Sequence, residues 1–210
     1  MGNFIGIDSP LIRILNRMAD LMWLNILTII CCIPIITAGA SITSMYYVTL
    51  KMVKEEDCYI TKSFFKAFKE NFRQSTIIGI IMLVIGGSIF MDFYLTQAGY
   101  FEMSQISRIL LLVVAVIYYI IFVYIFAVQA RYENKILHTF SNTILLAISN
   151  FPKTILLLFI NSFLIVCVYL SDWALLVMIL LGFSLTAFSA SFILRNIFEK
   201  LENKEQKEEE

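Results

Sequence analysis

The side chains able to do chemistry are few and scattered. The single histidine, His138, has no HExxH around it and no second imidazole with which to share a metal. It reads as a solvated or capping side chain. Four cysteines, Cys31, Cys32, Cys58 and Cys167, form no CxxC, and three of them lie in apolar runs. They read as small buried hydrophobes, not as a disulfide framework or a zinc site. Catalysis or proton coupling inside a membrane uses ionisable groups within apolar segments. Here Asp92 and Asp172 fall only at the ends of such segments. What lies inside them is neutral: Asn25, Thr28, Thr37, Thr43, Asn161, Ser162, Ser184, Thr186, Ser189 and Ser191. Two readings stay open for these groups. One is interhelical hydrogen bonding, worth about 0.6–2 kcal/mol each; the other is a polar pathway. No catalytic residue, metal or cofactor is expected.

The elements that carry these residues are apolar and long. Of 210 residues, 60% are hydrophobic and 15% charged, with sixteen basic residues against sixteen acidic. Soluble domains carry about 25% charged residues. Five stretches have no Asp, Glu, Lys or Arg: Leu21–Leu50, Gln74–Met91, Ile109–Ala130, Thr154–Ser171 and Trp173–Leu194. Each reaches the roughly 18 residues of a membrane span. This composition argues against a water-soluble enzyme, a disordered chain and a nucleic-acid binder. Barrel strands alternate apolar and polar residues. The run from Ile109 to Val128 does not, so the spans are α-helices. The expected fold is all-α: a polytopic membrane protein of five to six transmembrane helices plus two interfacial amphipathic helices. Residues 1–198 form one integral-membrane domain and 199–210 a charged tail.

Basic residues accumulate on the cytoplasmic side of a membrane. Segments 51–73, 131–153 and 195–210 hold thirteen Lys and Arg; the connections at 92–108 and 172 hold only Arg108. The first three therefore face the cytoplasm. The charge-free stretches between them give spans at about 75–95, 109–128, 154–171 and 173–194. The N-terminal unit has two readings. Ser9-Pro10 is a helix start, with Ser as N-cap and Pro in the first turn. Pro34 ends that helix, and Pro34, Thr37, Gly39 and Ser41 mark a break, with Thr37 or Ser41 as the cap of the next helix. Either a second, shorter helix over Ile42–Val53 returns to the cytoplasm, giving six helices, or a single kinked span gives five.

Two segments facing the cytoplasm are amphipathic. In 62–73, Phe64, Phe68 and Phe72 recur every fourth residue, and Lys62, Lys66, Lys69 and Arg73 occupy another face. This is expected to be an interfacial helix on anionic lipid. In 136–151, Ile136, Phe140, Ile144, Ile148 and Phe151 form an apolar stripe with little charge. Each segment ends in Asn-Phe, at Asn71-Phe72 and Asn150-Phe151, and leads into a hairpin of spans. Two parallel copies of one unit, offset by 79 residues, are suggested. The segment Arg131–Lys153 is the expected docking surface for a partner, through Glu133, Asn134, Phe140, Ile144 and Pro152. In the last span, Gly182, Thr186 and Ala190 make a small-residue face for close helix approach, and Gly79, Gly86 and Gly87 are expected to act likewise in the second hairpin.

Pro34-Ile-Ile-Thr37-Ala-Gly39-Ala-Ser41, with Tyr46-Tyr47-Val48 after it, resembles the N-terminal signature of the YesL-like bacterial membrane proteins. Arg131-Tyr132-Glu133-Asn134, then Asn142, then Asn150-Phe-Pro152-Lys-Thr154, is similar to that family's central loop. The likeness extends over residues 5–198. It departs where Ala127, not Pro, comes after Phe126. The resemblance implies a bacterial cell-membrane protein of uncharacterised activity, encoded near carbohydrate ABC-transporter components and sensor kinases. It assigns no catalytic residue. The expected partners are the lipid bilayer and an ABC-transporter permease or sensor kinase, with no nucleic acid. The expected function is a non-enzymatic accessory or regulator of carbohydrate transport or sensing. The alternative is a small transporter or channel with a broken-helix site at Pro34–Ser41, built around Asn25, Thr37 and Asn161.

Overall fold

The computed structural model describes residues 10–54, 56, 59–100, 104–132, 135–170 and 172–209. Ser9, Cys58, Glu133 and Asn134 lie outside the described residues. Helix α1 (Pro10–Cys32) ends where Pro34 cannot donate to the ladder. A short 3₁₀ turn (Ile35–Thr37) leads into α2 (Ala38–Val53). Then come α3 (Ile60–Gln97), α4 (Gln105–Arg131), α5 (Ile136–Ser149) and α6 (Phe151–Leu170). The chain closes with α7 (Asp172–Val177), a π turn at Met178–Gly182 and α8 (Phe183–Glu209). No strand occurs among the described residues. The protein is an all-α chain of polytopic membrane type. Four helices, α1, α3, α4 and the Leu175–Glu202 stretch, are long and apolar enough to cross a membrane; α5 with α6 makes a fifth if that bent pair counts as one.

The break at Pro34 is real, and α2 begins beyond it as a separate helix. At 16 residues it is about 24 Å long, short for a span. It is also the most enclosed helix, buried from Gly39 to Val53 except at Ile42, Tyr47 and Lys51. Gly39, near its start, touches Ser75 and Gly79 of α3, while the 54–59 connection joins the opposite ends, so the two helices run antiparallel. Thr49 meets Ser191 at 2.9 Å, and Arg195 donates to the Val53 carbonyl, so α2 and α8 run parallel. Tyr118 donates to the Met82 carbonyl and Gln129 to Asn71, which sets α4 antiparallel to α3. Tyr119 with Ser162 and Tyr124 with Thr154 set α6 antiparallel to α4.

Burial is concentrated at the end where α3 begins and α4 finishes, called basal here. All of Val123–Ala130 is buried, with Phe64, Ala67, Ile78, Leu157, Leu194 and Phe198 around it. Beyond Met82 no residue of α3 is buried, and none of α4 before Val123. These outer arms present bare apolar side chains, as a lipid-covered surface does.

Two expectations are corrected. Residues 62–73 are not a separate interfacial helix. They are the first part of the 38-residue α3, whose Phe64 and Ala67 pack into the core. The 79-residue repeat fails at the same place. Asn71-Phe72 lies inside a continuous helix, whereas α5 and α6 meet at Asn150-Phe151 with a bend of 104°. Pro152 adds to the difference locally, since it has no N–H to offer the Ile148 carbonyl, and Thr154 bonds back across the corner to Ala147. The last span carries a π turn that shifts the hydrogen-bonding register between α7 and α8.

Candidate functional site

The π turn has a partner. Asn25 of α1 is fully buried. Its amide nitrogen donates to the Ile179 carbonyl at 2.6 Å and the Met178 carbonyl at 3.3 Å, and its oxygen accepts the Ser184 N–H at 2.9 Å. The Ser184 hydroxyl donates to the Leu21 carbonyl at 2.7 Å. A wide turn strands backbone groups that lipid cannot satisfy, and one amide side chain from a neighbouring helix takes them up. The interhelical reading of Asn25 and Ser184 thus matches the geometry. Thr49 with Ser191, and Tyr119 with Ser162, are further interhelical bonds. Asn161 instead donates to the Leu157 carbonyl of its own helix.

At the break, Thr37 sits at the N-cap position of α2 without capping it. Its hydroxyl donates backwards, to the carbonyls of Cys31 at 2.6 Å and Pro34 at 2.8 Å. Ser41 does not cap either; it lies inside α2, fully buried. The reason is the αR backbone of Thr37, with φ −88° and ψ −4°, which continues the helical path, whereas a capping hydroxyl needs an extended residue. Gly39 is a contact point. A methyl there would collide with the Ser75 carbonyl oxygen, and a methyl on Gly79 would come 3.0 Å from the Gly39 Cα. Gly79 therefore serves the α2–α3 crossing, and Gly86 serves the α3–α4 hairpin by fitting under the Tyr118 ring. Gly87 faces open space.

The basal end holds the remaining candidates. Lys62, Lys66, Lys69 and Arg73 are all exposed and line one face of α3, with Lys66 3.9 Å from Glu70. Next to α3, the buried Gln129 of α4 forms a hub. It donates to Gln74 at 2.9 Å and Asn71 at 3.3 Å, and accepts from the Thr139 hydroxyl of α5 at 3.1 Å. This hub fixes the rotation of α5. A buried amide must be paired, so α5 turns Thr139, Thr143, Leu146 and Ala147 inward. The expected stripe is thereby displaced: Phe140 is half-buried, Ile144 and Phe151 are exposed, and Leu137 and Ile148 are 83% and 71% exposed. Pro152 is exposed in the first turn of α6. Thr154 latches the corner, donating to the Ala147 carbonyl at 2.9 Å and meeting the Tyr124 hydroxyl at 2.9 Å. Of the docking residues, Phe140, Ile144 and Pro152 thus fall on or beside α5.

Sequence reasoning missed two features. Gln129 is the only amide in the charge-free run Ile109–Ala130, and that isolation is a signal. A clamp on α8 has such a signal only in its i,i+4 pair, Arg195 and Glu199. Arg131 holds Glu202 with both Nε (3.0 Å) and Nη2 (2.8 Å), and Arg195 holds Glu199 at 2.7 Å. Lys51, Lys54, Arg131, Arg195 and Glu199 line a cavity of about 90 Å³. α8 accordingly runs without interruption past Phe198 into the charged segment.

The family model described as "Protein of unknown function, DUF624" matches residues 21–93. That is the second half of α1, the break, α2 and nearly all of α3, including the Gly39–Gly79 crossing. No curated protein and no solved structure matches the chain.

Proposed function

We propose that this protein is a non-enzymatic accessory or regulatory component of the bacterial cell membrane, working beside a carbohydrate transport or sensing complex. The observation that carries the reading is the placement of α5. It is anchored from within by Gln129 and Thr154, yet it presents Leu137, Leu145 and Ile148 outward. A helix held rigidly with its apolar side uncovered fits a docking surface. The carbohydrate context rests on the resemblance to YesL-like proteins, which fall within DUF624. The basic basal end is read as cytoplasmic, from the distribution of Lys and Arg.

The transporter reading has less support. Asn25 and Thr37 bond backbone groups around them, and Asn161 bonds its own helix, so these three do not face a shared path. The larger cavities, of about 410 and 390 Å³, lie along the outer end of the α3–α4 hairpin instead.

Affinity purification in mild detergent tests the proposal. An ABC permease or sensor kinase should co-elute stoichiometrically, and Ile148→Glu should release it while the protein stays monodisperse. Co-elution undiminished by Ile148→Glu removes α5 as the surface. Recovery of the chain alone, from membranes that contain both candidates, removes the accessory role.

A further inference from the structure

The α1–α2 turn lies at a depth that charge counting does not give. Gly39 is fixed against Ser75 and Gly79 of α3. The turn at residues 33–37 is only a few residues away along the chain. From Gly79, α3 continues for 13 residues, roughly 20 Å, before Asp92, the first charge at its outer end. In the other direction the charge-free part of α3 begins at Gln74, about 8 Å from Gly79. The turn is therefore level with the interior of the apolar part of α3, well short of its outer end.

Its chemistry agrees with that depth. Residues 30–36 are Ile, Cys, Cys, Ile, Pro, Ile and Ile. Ile33, Ile35 and Ile36 are 75%, 69% and 62% exposed. The outer connections, by contrast, carry Asp92, Thr96, Gln97 and Arg108 on one hairpin and Asp172 on the other. The turn also closes several of its polar groups on itself. The N–H of Ile33 reaches the Ile30 carbonyl at 3.3 Å, that of Thr37 reaches Pro34 at 2.9 Å, and that of Ala38 reaches Ile35. Pro34 has no N–H, and the Thr37 hydroxyl serves the Cys31 and Pro34 carbonyls. The non-helical stretch shrinks to two residues, which is what surroundings without water demand.

We propose that α1 and α2 form a re-entrant hairpin: it enters the bilayer from the basic basal side, turns at Ile33–Ile36 among the acyl chains, and returns without crossing. The occupant of this exposed isoleucine surface is lipid hydrocarbon, because the surface is continuous in depth with the bare apolar arms of α3 and α4. The chain then crosses the membrane four times, through α3, α4, α6 and α7–α8. The start of α1, with Arg13 and Arg17, lies on the same side as Lys51 and Lys54. This replaces both the five-span and the six-span arrangements.

Single cysteines in an otherwise cysteine-free full-length chain test the hairpin in native membranes. Tyr100→Cys should react with a membrane-impermeant maleimide in intact cells, and Glu56→Cys only in inverted vesicles. Ile35→Cys should react in neither, and should react fully in detergent. Reaction of Ile35→Cys from the outside means that the hairpin crosses, and reaction from the inside means that it lies on the surface; either overturns the proposal. A nitroxide on Ile35→Cys identifies the occupant. Collisions with oxygen should exceed those with a water-soluble nickel complex several-fold. Low collision rates with both would place protein, not lipid, against the turn and overturn the lipid contact.

Discussion

Asn71-Phe72 and Asn150-Phe151 begin alike and end differently. The first lies in an unbroken run of α3, and the second is a corner of 104° between α5 and α6. Two things separate them. Pro152 comes after the second pair, whereas Arg73 comes after the first. In addition, α2 packs along α3 through Gly39, Ser75 and Gly79, just beyond the first pair. The corner has the opposite support, because Thr154 bonds back across it to Ala147. A pair of residues repeated in sequence thus takes its shape from the residue after it and from the helix beside it.

The strongest way to break the comparison is Arg73→Pro, which gives the first pair the second's sequence. It should cost about 3 kcal/mol or more in thermal unfolding, because it removes a helical bond inside a packed element. Spin labels at Lys62 and Ile81, about 28 Å apart along a straight helix, should also come closer. An unchanged distance would mean that α2 alone keeps α3 straight. Gly39→Ala tests that second support. Its methyl meets the Ser75 carbonyl, so a loss of about 2 kcal/mol is expected. Gly87→Ala, in open space, serves as the control and should cost nothing measurable. Equal effects for the two would mean that the crossing does not hold α3. The smallest change is expected at the corner. Thr154→Val should lower stability by about 1 kcal/mol, because it removes the bond to Ala147 and the contact with Tyr124. Pro152→Ala should leave the bend in place while Thr154 is present, as read from label distances across it. A straightened corner in Pro152→Ala would show that the proline alone makes the bend.

The helical membrane class, the break at Pro34 and the apolar segments are all legible in the sequence, because each depends on composition or on one residue's backbone chemistry. The small-residue contacts are half legible. Gly39 and Gly79 stand out as small, but that they touch each other is a property of how α2 and α3 cross. The face that α5 turns outward is not legible from its apolar stripe. Two threonines on that helix face inward, because a buried glutamine on α4 needs the hydroxyl of one of them. The 62–73 segment departs from expectation for a similar reason: periodicity gives a face but not where a helix ends.

The sequence by itself determined that this chain lives among apolar surroundings, as helices, with its basic residues gathered at one end. Those are consequences of side-chain transfer energies, which act residue by residue. Only the tertiary structure decided which polar groups meet: Asn25 with the π turn, Gln129 with Asn71, Gln74 and Thr139, and Arg131 with Glu202. It also decided the depth of the α1–α2 turn. A buried polar group must find a partner wherever the packing supplies one, and partners 55 to 154 residues apart, as all of these are except Gln129 and Thr139, leave no local trace along the chain.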